Sequence, residues 1–275
     1  MSYFSLAALE ITLLGLLSGI AGTLIVVRRR SFFAVALSHA TFPGGVIFAV
    51  LGYNLLLGQA LFALLLVLVM TVLSRVPGQG RQVASGVVLA LGFALGTLLT
   101  SLNPGLGVPV EALLVGSPLS VSTADIVVTA AVLALSLLVA VLFARRILFH
   151  TFDAAGFAAA GFRAWPVELA VVGLIAAAVV VAMPAVGAIL GVAILIAPAA
   201  AARLLAPRIE WVPPLAAVLG IGSGLAGLWA SRQFDLAAGG AIGLATTLVF
   251  MAALLWRRVS RGQAKQQTQV KEVPA

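Results

Sequence analysis

The sequence predicts an all-α polytopic membrane helix bundle of about nine transmembrane helices, with the N-terminus outside and the C-terminus cytoplasmic. Three observations carry this. Of 275 residues, 63% are hydrophobic and only 9% charged, and the mean hydropathy of +1.21 is far above that of a soluble domain. The apolar runs are long enough to span and show no period-2 alternation, which favours helices over a barrel. Finally, lysine and arginine gather in alternate loops, as the positive-inside rule requires of a polytopic protein.

Cut at charges and at Gly, Pro and Asn turns, the runs fall near 7–27, 32–51, 55–74, 83–102, 123–143, 167–183, 186–205, 212–231 and 236–256. The start, Met1-Ser2-Tyr3-Phe4, lacks the basic region of a secretory signal and leads directly into the first run, which reads as a retained span. The sixth and seventh runs are divided only by Met183-Pro184-Ala185-Val186-Gly187 and read as two short spans or one broken pair. With the N-terminus outside, the inside loops hold Arg28, Arg29, Arg30, Arg75, Arg81, Arg145, Arg146, Arg163, Arg203, Arg208, Arg257, Arg258, Arg261, Lys265 and Lys271. That is 15 of the 16 basic residues, leaving Arg232 outside. A wrong count or parity would scatter them; merging the sixth and seventh runs would not.

Two domains of unequal weight follow: a membrane domain over 1–256 and a polar cytoplasmic tail over 257–275, expected to be disordered beyond its first turn. The outside stretch 103–122 is rich in Gly and Pro without one basic residue. The inside stretch 144–166 is long, partly amphipathic and basic, a place for a cytoplasmic partner.

The net charge of +8 does not indicate nucleic acid, because the bases cap apolar runs and carry no interleaved aromatics. There is no cysteine, hence no disulfide, thiolate site or catalytic thiol. No Walker-type Gly-rich phosphate loop occurs. The eight acidic residues form neither a carboxylate pair nor a metalloprotease helix, so the chain reads as non-enzymatic.

Ionisable groups inside spans are costly and usually face a bundle interior or a watery path. His39 lies roughly 12 Å into its helix at 1.5 Å per residue. Pro43, four residues on, has no N–H for the carbonyl of residue 39, so a kink is expected. Gly44 and Gly45 allow either close helix approach or an open cavity beside the imidazole. Neutral imidazole is a ligand for zinc and other late divalent ions, which makes His39 a candidate metal contact on a path; the alternative is a buried, hydrogen-bonded histidine. His150, among basic residues, reads as interfacial. Glu10, Glu111, Asp125 and Asp235 lie on or near the outside face and would make its mouth weakly acidic.

The segment "VVRRRSFFAVALSHATFPGGVIFAVLG" (26–52) resembles the second-helix signature of the metal-type ABC transporter permeases, the zinc, manganese and iron importers. "TFDAAGFAAAGF" (151–162) is similar to their cytoplasmic coupling segment, with Asp153 and Gly161 at the family's spacing. "AVGAILGVAILIAPAAAARLL" (185–205) resembles their Pro-Ala-Ala-x-Ala-Arg-Leu-Leu helix, with Pro198 and Arg203 in register. "GLWASRQFDLAAGGAIGL" (227–244) matches the penultimate turn, with Asp235 and Gly239 in place and Ala238 where proline is usual. The chain departs from the pattern at Val35, where an Asp usually precedes the histidine by one turn, and at Ala154-Ala155, where Pro-Glu is usual.

The resemblance implies an ABC importer permease in the bacterial cytoplasmic membrane. Two copies would form the path, two ATPase subunits would bind the segment 152–163, and an extracytoplasmic metal-binding protein would deliver the ion. No permanently bound cofactor is implied; the divalent metal, foremost zinc, is the cargo. His39 is the expected path residue, with Glu10 as a possible supplement, and Asp153, Phe157, Gly161, Phe162 and Arg163 form the expected ATPase-coupling segment. A chelate or cobalamin permease would need a wider path and no metal-ligating histidine. An ATP-independent carrier would show carboxylates deep in broken helices, and a scaffold would transport nothing.

Overall fold

A computed structural model of the chain describes residues 3–73, 81–104, 118 and 121–271. Arg75, Glu111, Glu272 and most of the stretch 103–122 lie outside the described residues.

The architecture is all-helical. Among the described residues, eight helices are long and apolar enough to cross a membrane and a ninth is shorter. They are α1 (Tyr3–Val27), α2 (Ser31–Val50), α3 (Leu55–Leu73), α4 (Gln82–Leu102) and α5 (Thr123–Phe152). After the short α6 (Ala154–Ala159) come α7 (Ala164–Ala188) and α8 (Leu190–Leu205). The bundle ends with α9 (Val212–Phe234) and α10 (Ala238–Lys271).

The sixth and seventh runs are two helices joined without a loop. Gly187 takes φ 83° and ψ 168°, a region open essentially to glycine alone. A Cβ on Gly191 would lie 3.2 Å from Ala182 Cβ, whereas a straight helix would hold residues nine apart at about 13 Å. The chain therefore reverses at Gly187 and α8 returns along α7. Pro184 does not end α7; the glycine does.

Two boundaries differ from the sequence-based expectation. The fifth helix continues to Phe152, about nine residues past the expected 143, because "ARRILFH" offers good helix formers and no breaker. It thereby shortens the expected inside loop. The last helix continues to Lys271, so the tail expected to be disordered extends a helix already nucleated in the apolar span. Within α1, Ser18–Gly22 form one π-helical turn.

The glycines set how closely helices approach. A Cβ on Gly15 would lie 2.6 Å from Ile221 N, and one on Gly220 would lie 3.1 Å from Gly15 Cα, so α1 and α9 touch backbone to backbone. Where lipid replaces water as solvent, such close packing is a main source of helix association. One end of the bundle gathers the arginines 28–30 with Met70, Gln82 and Glu168. At the opposite end Arg232, the one base expected outside, places its guanidinium carbon 4.9 Å from the Phe4 ring centroid, a cation–π contact.

Candidate functional site

The helix carrying His39 breaks where Pro43 predicts. Regular helix ends at Ala40 and resumes at Phe42, with Thr41 N–H donating to Leu37 O at 3.1 Å. Thr41 itself is buried, and its hydroxyl contacts Met183 Sδ of α7 at 3.5 Å. Of the two roles open to Gly44 and Gly45, close approach is the one realised. A Cβ on Gly44 would run into Phe62 Cβ and Gly58 O of α3, and one on Gly45 would meet Gln59 at 3.2 Å. From the other side, a Cβ on Gly92 of α4 would lie 2.5 Å from Ala40 Cα. The break is thus clamped between α3 and α4, which leaves His39 little freedom to shift.

His39 is half-buried and opens onto a cleft of about 430 Å³ between α2, α8 and α10. Ala193, Ala197 and Ala200 face it from α8, and Thr247 and Phe250 from α10. The spacing 193, 197, 200 is one helical face, and its small side chains keep the cleft open. Nδ1 of His39 lies 3.0 Å from Val35 O and 3.1 Å from Ser38 Oγ. A carbonyl only accepts, so Nδ1 carries the proton and donates to Val35 O, and Nε2 keeps the lone pair a metal needs. Among the described residues, no group of three or more His, Cys, Asp or Glu side chains is placed to hold a metal ion.

Glu10 is not beside His39 and does not line the His39 cleft. It is 1% exposed on α1 and accepts a hydrogen bond from Thr129 Oγ1 of α5 at 2.7 Å. A carboxylate expected at an acidic mouth is therefore buried inside the bundle. Asp125 instead closes a capping box with Ser122 at the start of α5, and Asp235 ends α9 at φ 51°.

The segment expected to couple to the ATPase is a helix of six residues whose two signature positions, Asp153 and Gly161, close its ends. Asp153 Oδ1 accepts from Gly156 N at 2.7 Å, an N-cap. At the other end Gly161 has φ 79°. Gly161 N donates to Ala158 O at 3.0 Å and Phe162 N to Phe157 O at 3.2 Å, the paired bonds of a Schellman motif. The Phe157 and Phe162 rings, 5.2 Å apart, supply the hydrophobic contact that accompanies it. The two phenylalanines expected on one docking face differ: Phe162 is 45% exposed, Phe157 only 1%. Phe157 is packed against Phe149 and His150 of α5, because a short helix needs a side chain to anchor it. Asp153 and Arg163 are exposed beside it.

Sequence reasoning missed two features. The alanine face of α8 was visible as a motif, but its position opposite His39 needs the reversal at Gly187. Glu168 was one acidic residue among eight, yet it holds Arg28 and Arg30 in ion pairs; the available signal was a single acid at the start of a span on the arginine-rich side.

A helical bundle with a kinked, histidine-bearing helix lining a cleft, and a capped short helix at its arginine-rich end, defines a multi-pass membrane permease without a catalytic centre of its own. The chain belongs to the ABC 3 transport family, whose profile matches residues 1–257. It is similar to the manganese transport system membrane protein MntC of Halalkalibacterium halodurans, at 32% identity over 255 residues, covering 93% of this chain and 87% of that protein. Its identity to the zinc transport system membrane protein TroC of Treponema pallidum is 34% over 266 residues, covering 89% of each. Among solved structures, PsaBC from Streptococcus pneumoniae in complex with Fab matches with a TM-score of 0.79 and 28% identity, over 92% of this chain and 91% of that chain. The protein is accordingly the membrane permease of an ABC metal importer, and membership implies an ATPase and a binding protein as partners.

Proposed function

We propose that two copies of this permease form a zinc import path, N-termini outside, in which the paired His39 clefts hand the ion inward as the bundles alternate between outward and inward openings. The observation that carries the reading is the contact of His39 Nδ1 with Val35 O, which leaves Nε2 as the free acceptor nitrogen in a cleft whose lining, among the described residues, holds no carboxylate. Imidazole without carboxylate favours zinc over manganese. The near-absence of acidic side chains around the cleft supports the same choice. On the inner side, two ATPase subunits dock on α6 through Asp153, Phe162 and Arg163, with Phe157 as its anchor and Gly161 as its stop.

Manganese is the second reading, favoured by the manganese relative at 32% identity. The experiment is reconstitution with the cognate ATPase and binding protein, followed by ATP hydrolysis with zinc, manganese or iron. Stimulation by zinc above manganese is expected. The reverse order selects the second reading, and stimulation by none removes the metal assignment.

A further inference from the structure

A polar knot closes the arginine-rich end of the bundle around one carboxylate. Arg28, following α1, donates through Nη1 to Glu168 Oε2 at 2.5 Å and through Nε to Thr151 Oγ1 at 2.9 Å. Its third contact is Nη2 to His150 Nδ1 at 2.7 Å. Arg30, immediately before α2, donates to the other carboxylate oxygen, Glu168 Oε1. A guanidinium has donors only, so Nδ1 of His150 accepts and its proton is on Nε2. The two arginine side chains are only 6% and 11% exposed, which makes their charges depend on this partner rather than on water.

The knot is continuous with both ends of the transport machinery. On one side, the His150 ring meets Phe157 edge to face at 5.1 Å, and Phe157 is the buried centre of α6. On the other, Arg30 leads straight into Ser31–Ala40, the rigid helical segment that carries His39. Glu168 joins these halves from the second turn of α7.

We propose that Glu168 is a positioning residue that makes α5, α6 and the His39-bearing part of α2 move as one body, so that displacement of α6 reaches the cleft. Resting on the reading of α6 as the ATPase-docking helix, the proposal adds a route from that helix to the ion. Without the carboxylate, two nearly buried guanidiniums face each other, and the ends of α1 and α2 part from α7. The ATPase still hydrolyses ATP on its own chemistry; what is lost is the link between its movement and the path.

The test uses the reconstituted complex with binding protein and zinc, measuring uptake and ATP hydrolysis in the same vesicles. For Glu168→Gln the expected result is hydrolysis within about twofold of wild type and uptake lowered about tenfold, a coupling loss of ordinary size, with Glu168→Asp restoring most of the ratio of ions moved to ATP spent. Arg28→Lys, which keeps the charge but cannot serve three acceptors at once, is measured beside it in case Glu168→Gln fails to fold, and is expected to lower the same ratio. An unchanged ratio in both variants, or hydrolysis and uptake lost together in both, overturns the proposal. A wild-type complex that neither transports zinc nor is stimulated by it sinks the transport reading and this proposal with it, and is recognised before any variant is compared.

Discussion

His39 Nδ1 lies 3.0 Å from the backbone oxygen of Val35, one turn earlier on the same helix. This bond, with Ser38 Oγ 3.1 Å from the same nitrogen, orients the ring and leaves Nε2 as its acceptor nitrogen. His39→Ala removes that nitrogen and is expected to lower zinc uptake by about tenfold or more, the loss typical of a missing metal contact. Uptake into vesicles at matched protein content checks this. Uptake unchanged in His39→Ala would exclude the histidine from the path.

Phe157 and Phe162 separate anchoring from docking. Phe157→Ala empties a buried site and is expected to destabilise the α5–α6 contact by about 3–5 kcal/mol, seen as a lower melting temperature of the isolated permease. Phe162→Ala, whose ring is about half covered, is expected to lower melting less than Phe157→Ala and to weaken ATPase association in addition. Gly161→Ala belongs with the first class, because a Cβ at φ 79° costs about 1 kcal/mol. Melting curves together with co-purification of the ATPase distinguish the two outcomes.

The reversal at Gly187 predicts a stability effect far from any ligand. At φ 83° and ψ 168° an alanine is strained by about 1–3 kcal/mol, and α8 is the wall facing His39. Gly187→Ala is therefore expected to lower both the melting temperature and zinc uptake, whereas Pro184→Ala, inside a helix that continues past it, is expected to leave the fold intact. Thermal unfolding in detergent reads the first effect and vesicle uptake the second.

Most of the helix count was legible because most spans are separate hydrophobic runs bounded by charge or by turn residues; the sixth and seventh, divided only by Met183–Gly187, needed the backbone angles of Gly187. The kink at Pro43 was legible because a missing N–H is a local fact. Helix ends were not: at Phe152 and Lys271 no breaker stops a helix once formed, and polarity does not end one. The site was legible in one dimension only. Asp153 and Gly161 were recognised by spacing, but that they are the two caps of one short helix required backbone angles. Glu10 looked like a surface acid near the chain start, and only the packing of α1 on α5 reveals it buried against Thr129. Glu168 acquires its partners from residues about 140 positions away, a relation no local pattern carries.

Val35 supplies the sharpest test of ion choice. It precedes His39 by one turn, and residues four apart on a helix share a face, so an aspartate there would bring a hard oxygen ligand beside the imidazole while its backbone carbonyl still receives the Nδ1 proton. Hard carboxylate oxygen suits manganese better than imidazole alone does. Val35→Asp is therefore expected to raise the manganese-to-zinc uptake ratio by about tenfold, the order of one added interaction of 1.4 kcal/mol. Competition uptake, with both metals supplied to the same vesicles, measures the ratio directly. The carboxylate also introduces charge into an apolar cleft, so a fall in total uptake accompanied by the rise in ratio is the expected pattern. A fall in both metals without a change in ratio would mean that Val35 does not face the ion, and that the choice of metal lies outside the His39 turn.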